Sequence, residues 1–128
     1  FGHQIGDAVL IGLAQIMQKH IRSTDVLGRW GGEEFMLILP NTSIAHAYEH
    51  MNRLRQRVEV ADFSPVQQVT ISVGLVSCTR FLCEKKLIEL ADNALYEAKE
   101  NGRNRVELAP IVESTAQCDD VTHVAMLE

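Results

Sequence analysis

The chain has 128 residues, of which 46% are hydrophobic and 23% are charged, so it can bury the core of one domain and is not disordered throughout. Its formal net charge of −5 disfavours binding to a nucleic-acid polymer, because such a surface needs an excess of Lys and Arg. No apolar run approaches the roughly 18 residues of a membrane span, and the three cysteines are odd in number and lack the two-residue spacing of a zinc site, which indicates free thiols. These features predict a domain in a reducing, cytoplasmic compartment.

The first predicted helix runs from Asp7 to Ile21, where apolar residues recur at steps of three and four and form one face. Two extended segments follow, on either side of the pair Gly31-Gly32, and the second of them ends at Pro40. Glycine accepts the positive φ that a tight turn requires. The pattern therefore predicts a β-hairpin with the two glycines at its bend.

The remaining elements alternate between helical and extended patterns. A second helical stripe runs from Ile44 to Val58, and a run of β-branched residues from Val66 to Val76 predicts one long strand. A third helix is predicted from about Lys86 to Glu100, and a short closing strand from Arg105 to Leu108.

This order of elements predicts an α/β fold in which helices cover a mixed sheet. Residues 1–108 carry all of the predicted elements and form one domain. After Pro110, the stretch from Val112 to Asp120 is rich in Glu, Ser, Thr, Gln and Asp, and Val121 to Leu127 show no sustained hydrophobic period, so residues 109–128 differ from the rest of the chain. We expect them to form a mobile C-terminal tail.

The most informative segment for chemistry is the predicted bend. Gly31 and Gly32 leave open backbone beside the carboxylates of Glu33 and Glu34, and hard oxygen ligands of this kind suit a magnesium ion that also holds phosphates. Because side chains alternate along a strand, only one of the two glutamates is expected to be a firm metal ligand. An ordinary hairpin whose acidic edge repels other strands remains the alternative.

Other charged residues suggest contacts to a nucleotide. Lys99 and Arg103 flank the end of the third predicted helix and can grip a triphosphate from one side, although cations also end helices because they complement the helix dipole. Asp7 can accept hydrogen bonds from a base edge, or it can be the acidic residue common in a first helical turn. Arg22 and Asp25 straddle a helix end, where a solvated ion pair is the ordinary interpretation.

The segment from His46 to His50 fits the HxxEH pattern of inverted zinc proteases, with two imidazoles one helical turn apart. Zinc needs a further protein ligand, and the chain has no companion motif that supplies one. The surrounding residues are mostly polar, so the pattern favours a solvated helix face over a zinc site.

Taken together, these segments resemble the GGDEF family of diguanylate cyclases over about residues 1–108. The motifs that carry the resemblance are, in chain order, Phe1-Gly-His-Gln-Ile-Gly-Asp7, Gly31-Gly-Glu-Glu-Phe35, Val69-Thr-Ile-Ser-Val-Gly74, and Ala91-Asp-Asn-Ala-Leu-Tyr-Glu-Ala-Lys99 with Asn101-Gly-Arg-Asn104. Four motifs in the family's order make the resemblance specific. It implies a palm-like nucleotidyl-cyclase fold of the ferredoxin-like type.

The family makes cyclic di-GMP and pyrophosphate from two GTP molecules, with each protomer of a homodimer holding one nucleotide. By resemblance, Glu33 is expected to ligate magnesium or manganese, and Glu34 to position or deprotonate the attacking 3′-hydroxyl. Asp7 is expected to contact the guanine edge, while Lys99 and Arg103 hold the phosphates. Two metals near one phosphoryl group would lower the pKa of the hydroxyl and neutralise the leaving pyrophosphate.

The run Arg22-Ser-Thr-Asp25 matches the family's RxxD inhibitory site. The resemblance implies that Arg22 clamps a guanine or phosphate of the bound product and that Asp25 accepts a hydrogen bond from the base edge. Arg53 matches the position that contributes a second arginine from a neighbouring surface. We therefore expect feedback inhibition by cyclic di-GMP.

The chain departs from the family pattern at its start. The family's first strand, which carries an aspartate metal ligand, and the helix after it do not precede Phe1. We expect an uncovered edge in the sheet between the hairpin and the Val66–Val76 strand, unless another chain fills the gap. On this expectation the 128 residues alone turn over GTP slowly or not at all, whereas the parent protein is an active cyclase.

Two other functions remain open. A degenerate module would bind GTP or cyclic di-GMP without catalysis, and a structural or dimerisation role would need neither ligand. The resemblance also implies a sensor domain N-terminal to the catalytic domain, which leaves a membrane-tethered parent open.

Overall fold

The computed structural model describes residues 3–64, 66, 68–78, 84–109 and 121–127. The helices and strands, in chain order, are α1 (His3–His20), β1 (Val26–Gly31), β2 (Glu34–Thr42), α2 (Ile44–Val60), β3 (Val73–Cys78), α3 (Glu84–Glu100), β4 (Val106–Leu108) and β5 (Val121–Leu127). The predicted hairpin and the three predicted helices are confirmed, and the second helix is capped by the Ser43 hydroxyl, which accepts a hydrogen bond from the His46 N–H.

The five strands form one sheet in the order β1-β2-β5-β3-β4. β3 and β4 are parallel, and every other neighbouring pair is antiparallel. Helices cover both faces, because alternate residues of a strand point to opposite sides. Val73 and Leu75 of β3 belong to the core beneath α1 and α2, whereas Val76 packs with α3. The predicted α/β fold with a mixed sheet is confirmed.

The central strand β5 corrects the prediction of a mobile tail. Residues 121–127 pair with β2 on one side and β3 on the other, and the side chains of His123, Ala125 and Leu127 are fully buried. β5 therefore occupies the place between the hairpin and β3 where an uncovered edge was expected. Of residues 109–120, the remainder of the predicted tail, only residue 109 belongs to the part of the chain that the structure describes.

The predicted strand from Val66 to Val76 is too long at its start. The regular strand begins at Val73, and Val66 makes only an isolated bridge to Phe63. Residues 68–72 belong to no strand that the structure describes, although Ile71 and Ser72 are buried. β-Branched residues favour an extended chain, but a strand also needs a hydrogen-bonding partner, which the composition of a single segment does not reveal.

Close packing of α3 on β3 depends on Gly74. A Cβ atom at this position would lie 2.5 Å from the carbonyl oxygen of Ala91 and would also overlap the backbone nitrogen of Leu95. The absence of a side chain therefore lets the helix backbone approach the strand. No helix in the described part of the chain is both long and apolar enough to cross a bilayer.

Candidate active site

One row of paired residues crosses four strands at the same end of the sheet. Leu127 lies opposite Phe35 on one side and opposite Val73 on the other, and Val73 is paired with Val106. The bend of the hairpin, residues 31–34, comes directly before Phe35, and residues 101–104 come shortly before Val106. We call these segments the acidic turn and the basic turn. The pairing brings both turns to one end of the sheet.

The acidic turn is a tight connection between β1 and β2. Gly31 pairs with Glu34, and Gly32 has a φ of 46°, a left-handed conformation that glycine adopts without steric cost. The Arg29 guanidinium donates to the Gly32 carbonyl from Nε at 2.9 Å and from Nη2 at 2.6 Å. The register shifts between Arg29 and Gly31, so a bulge re-aims the strand immediately before the turn.

The two glutamates of the acidic turn differ in their surroundings. Glu33 lies in the turn itself and is exposed, whereas Glu34 is the first residue of β2 and is half-buried. A carboxylate at an open turn, with a second one beside it, is a donor set that Mg²⁺ accepts, because this ion keeps several waters and shares its site with substrate phosphates. Within the described ranges no group of three His, Cys, Asp or Glu residues could hold a metal by itself.

The basic turn follows α3 and is fixed by hydrogen bonds to α2. The Asn104 side chain donates from Nδ2 to Glu59 Oε2 at 2.6 Å and accepts from Arg55 Nη1 at 2.9 Å. Arg103 and Asn104 both have a positive φ, of 62° and 47°, and the Arg103 N–H donates to the Ala98 carbonyl. This conformation is costly for residues with a side chain, so the bonds to α2 hold Arg103 in a defined place.

Lys99 and Asp7 are placed by their helices. Because β3 and β4 are parallel and α3 connects them, α3 returns the chain toward the start of β3. Its contact with Gly74 involves Ala91 and Leu95, so Lys99, one turn after Leu95, lies toward the end with the acidic turn. Asp7 is exposed in the N-terminal half of α1. Residues 21–25 connect α1 to β1, and Leu13 and Met17 of α1 belong to the core that covers one face of the sheet.

Arg22 and Asp25 form a tightly bonded pair at the opposite end of the hairpin. Arg22 donates to Asp25 Oδ1 from Nη2 at 2.7 Å and from Nε at 3.0 Å, and its backbone N–H donates to Oδ2 at 2.9 Å. Nη2 also donates to the Thr42 hydroxyl at 2.6 Å. The Asp25 side chain has no exposed surface. A solvated ion pair, the ordinary interpretation of the sequence, is therefore wrong for this pair.

The electrostatics of Asp25 follow from these contacts. Burial by itself would raise the pKa of the carboxyl group, but hydrogen bonds from the Arg22 side chain and backbone, the charge of Arg22 and a hydrogen bond with His50 outweigh it. The pKa of Asp25 is therefore lowered from its ordinary value of 3.8. The carboxylate stays charged and orients the Arg22 guanidinium.

An open cavity of about 420 Å³ lies beside this pair, and we call it the basic pocket. It is lined by His20, Arg22, Asn41, Thr42, His46, His50, Arg53, Leu54 and Arg57. Arg22 and Arg53 of the predicted inhibitory site thus line the same pocket of one protomer. The sequence did not single out His20 or Arg57 for this site, and it assigned His46 and His50 to a solvated face.

A signal for the pocket was nevertheless present in the sequence. His46, His50, Arg53 and Arg57 follow one another at steps of four, three and four, which places them on one face of a helix. The solvated-face interpretation holds for His46, which is exposed. His50 is half-buried, and its Nε2 lies 3.3 Å from Asp25 Oδ2.

Comparison with known proteins yields a family and several relatives. The family model described as "Diguanylate cyclase, GGDEF domain" matches residues 1–105. The chain is 44% identical over 115 residues to Diguanylate cyclase A of Treponema denticola. This match covers 85% of the chain but only 30% of that relative, so the chain spans less than a third of its length.

Solved structures agree with the family match. The chain is similar, with a TM-score of 0.79 and 36% identity, to the diguanylate cyclase SiaD of Pseudomonas aeruginosa in complex with its activator SiaC, over 85% of the chain and 43% of SiaD. It is also similar to the coiled coil and GGDEF domain of DgcB from Caulobacter crescentus in complex with cyclic di-GMP. There the TM-score is 0.76 and the identity 28%, over 85% of the chain and 60% of the DgcB chain.

Proposed function

The chain belongs to the GGDEF family of diguanylate cyclases, and from this premise we propose that the intact protein condenses two GTP molecules to cyclic di-GMP with release of pyrophosphate. The observation that carries the proposal is the row from Phe35 through Leu127 and Val73 to Val106, since it brings the acidic and basic turns to one end of the sheet. A nucleoside triphosphate needs carboxylates that hold its divalent metal ion and Lys or Arg side chains that bind its phosphates.

The acidic turn supplies the carboxylates. Glu33, exposed at the bend, would hold a magnesium or manganese ion, and Glu34 beside it would position the attacking 3′-hydroxyl and take up its proton. When bound, the divalent ion neutralises phosphate charge and lowers the pKa of that hydroxyl. The bond from Arg29 to the Gly32 carbonyl fixes the bend, so Gly31 and Gly32 can approach the phosphates closely without a side chain in the way.

The basic turn and α1 would hold the rest of the nucleotide. Arg103, fixed through Asn104 to α2, presents a planar guanidinium that suits two phosphate oxygens, and Lys99 adds a point charge from the last turn of α3. Asp7 on α1 would accept hydrogen bonds from the guanine edge. A cyclic product from two nucleotides needs two such sites facing each other, so the proposal includes a homodimer with one GTP on each protomer.

The basic pocket is the proposed site of product inhibition. Arg22 would contact a guanine or phosphate of cyclic di-GMP, and Arg53 would contribute a second guanidinium from α2. Asp25 is already bonded to Arg22 and His50 through both carboxylate oxygens, so we propose that it chiefly orients Arg22 rather than contacting the base. This refines the role that the family resemblance implies for Asp25.

An assay of the full-length protein tests the function. Wild type and Glu33→Gln are incubated with GTP and Mg²⁺, and the cyclic dinucleotide is quantified by chromatography. We expect a loss of at least about 100-fold in the variant, because the carboxylate acts on charge that develops in the transition state. Glu49→Gln, an exposed acid on α2, is the matched control and should keep wild-type activity.

The same assay separates catalysis from binding alone. Wild-type protein that binds GTP but makes no cyclic dinucleotide would contradict the cyclase proposal and leave a nucleotide-binding module. An equal rate in wild type and Glu33→Gln would show that the acidic turn is not the catalytic centre.

A further inference from the structure

The basic turn contains more left-handed residues than the end of a helix requires. α3 ends at Glu100, and one left-handed residue, ordinarily glycine, is sufficient to end a helix. Gly102, with a φ of 120°, meets that need, yet Arg103 and Asn104 also have positive φ values of 62° and 47°. Backbone strain of this kind persists only where the surrounding structure holds it in place, and such places cluster at functional sites.

A polar network on α2 holds the strained turn. The Asn104 side chain donates from Nδ2 to Glu59 Oε2 at 2.6 Å and accepts from Arg55 Nη1 at 2.9 Å. Arg55 is oriented in turn by Asn52, whose Oδ1 accepts a hydrogen bond from Arg55 Nε at 2.9 Å. The side chains of Arg55 and Glu59 are only 15% and 34% exposed, so water competes little for these bonds.

Position 104 needs a side chain with three properties. It must tolerate a φ of 47°, donate a hydrogen bond to a carboxylate and accept one from a guanidinium. Asparagine has all three, because its short amide is both donor and acceptor and is among the side chains most often found in the left-handed region. Aspartate has nearly the same shape but lacks the donor, and it would place a second carboxylate against Glu59. The network therefore requires a neutral amide rather than a side chain of a certain size.

We propose that Asn104, held by Glu59 and Arg55, is a positioning residue for the nucleotide, so that α2 raises the affinity for GTP through Arg103 without touching the ligand. The inference rests on the proposed function, in which Arg103 binds the phosphates, and adds the residues that set the strength of that contact. An arginine whose backbone is fixed before the ligand arrives loses less conformational freedom on binding than a mobile one. The network on α2 supplies that fixation.

Calorimetric titration of the full-length protein with 3′-deoxy-GTP and Mg²⁺ tests the proposal, because this probe lacks the hydroxyl that reacts and is not consumed. Asn104→Asp keeps the shape of the side chain but opposes two carboxylates, and we expect it to weaken binding about three- to tenfold, the effect of leaving a long side chain to be ordered by the ligand. Adding Glu59→Gln to Asn104→Asp replaces the second carboxylate by an amide that can donate. This double variant should recover to within about twofold of wild type.

A double-mutant cycle with Arg103 separates positioning from a structural role. If Asn104 acts through Arg103, Asn104→Asp should weaken binding by less than about twofold in a protein that already carries Arg103→Gln. The same loss in both backgrounds would overturn the proposal, since it would mean that the added charge repels the phosphates directly or that the fold is damaged in general. Asn93→Asp, which adds the same charge at an exposed position of α3, is the matched control and should bind like wild type.

Amide hydrogen exchange of the same proteins shows whether the turn has loosened. Exchange over residues 101–104 should be faster in Asn104→Asp and return to the wild-type rate with Glu59→Gln, while exchange of β3 stays unchanged. If Asn104→Asp does not fold, Asn104→Gly decides the matter, because glycine adopts the left-handed conformation without strain and removes only the bonds to α2. It should weaken binding about three- to tenfold as well.

The variants also distinguish failure of this inference from failure of the proposed function. Wild-type protein that does not bind the probe, or Arg103→Gln that binds it as tightly as wild type, would refute the phosphate-binding role of the basic turn and the inference with it. A loss of affinity in Arg103→Gln but none in Asn104→Asp and Asn104→Gly would refute the inference alone. Absence of recovery in the double variant would have the same meaning.

Discussion

Leu127 lies directly opposite Phe35 in the antiparallel pairing of β5 with β2, so the central strand ends beside the acidic turn. Both side chains are buried in the core that α1 and α2 cover. The position of the acidic turn therefore depends on a strand that comes last in the chain, far in sequence from the hairpin it supports.

The burial of Leu127 predicts a large effect on stability. Leu127→Ala removes a side chain with no exposed surface and should lower the free energy of unfolding by about 2 to 5 kcal/mol, measured by urea denaturation. Leu108→Ala is the matched control, since Leu108 is 44% exposed and its truncation should cost well under 1 kcal/mol. Equal losses in the two variants would show that β5 does not fill the centre of the sheet.

The close packing around Gly74 predicts that a single added methyl group lowers the stability of the fold. Gly74→Ala would bring Cβ to 2.5 Å from the Ala91 carbonyl oxygen, and the surrounding atoms are backbone that cannot rotate away. We expect destabilisation by about 1 to 3 kcal/mol or more in thermal or urea unfolding. Gly28→Ala, where a Cβ would have no neighbour within 4 Å, should be tolerated. A neutral Gly74→Ala would contradict the close approach of α3 to β3.

The lowered pKa of Asp25 predicts how stability depends on pH. A folded-state pKa below the ordinary value of 3.8 means that Asp25 contributes its full stabilisation above that value and loses it as the pH falls toward the folded pKa. Asp25→Asn should cost about 2 kcal/mol at pH 7 and should flatten the decline of stability as the pH falls below the ordinary pKa of 3.8. Urea denaturation across pH measures both effects.

The control for this prediction is Asp92→Asn, an exposed carboxyl on α3. It should leave the stability at pH 7 within about 0.5 kcal/mol of wild type. If Asp25→Asn keeps the acid profile of wild type, the Arg22 and His50 contacts do not govern the charge of Asp25.

The position of Arg22 predicts that its truncation weakens the binding of cyclic di-GMP. Its Nη2 is held by Asp25 and Thr42 at the mouth of the basic pocket, while 43% of its side chain stays exposed to a ligand. Arg22→Ala should weaken cyclic di-GMP at least about tenfold in a calorimetric titration, as expected for a charge-assisted contact to an anion. Lys86→Ala on α3 should bind like wild type. An unchanged affinity in Arg22→Ala would refute the inhibitory site.

Local pattern was enough to predict much of this fold. The helix beginning at Ile44 was predicted because its buried residues repeat with the helical period, and the hairpin because two glycines stand between extended runs. The helical spacing of the His and Arg residues on α2 also indicated one face of the basic pocket. The pocket was not predicted from it, because the pocket also needs Arg22 and Asp25, which lie next to α2 only in the folded chain.

Long-range pairing accounts for what was missed. Residues 121–127 were not predicted as a strand because their two partners lie more than 40 residues away and because a polar stretch precedes them. Residues 68–72 were assigned to a strand because their composition is β-prone, but nothing in that segment indicates whether an edge is available to it. In this chain the type of each element follows from its local sequence, whereas the position of a strand in the sheet depends on partners that are distant in sequence.

Paramagnetic broadening by Mn²⁺ in the presence of GTP tests whether the acidic turn holds the cation of a bound nucleotide. We expect loss of amide NMR signals centred on Gly31, Gly32 and Glu33, reaching Arg103, and recovery of those signals in Glu33→Gln. Broadening centred instead on His46 and His50, or broadening at the turn that persists in Glu33→Gln, would contradict it.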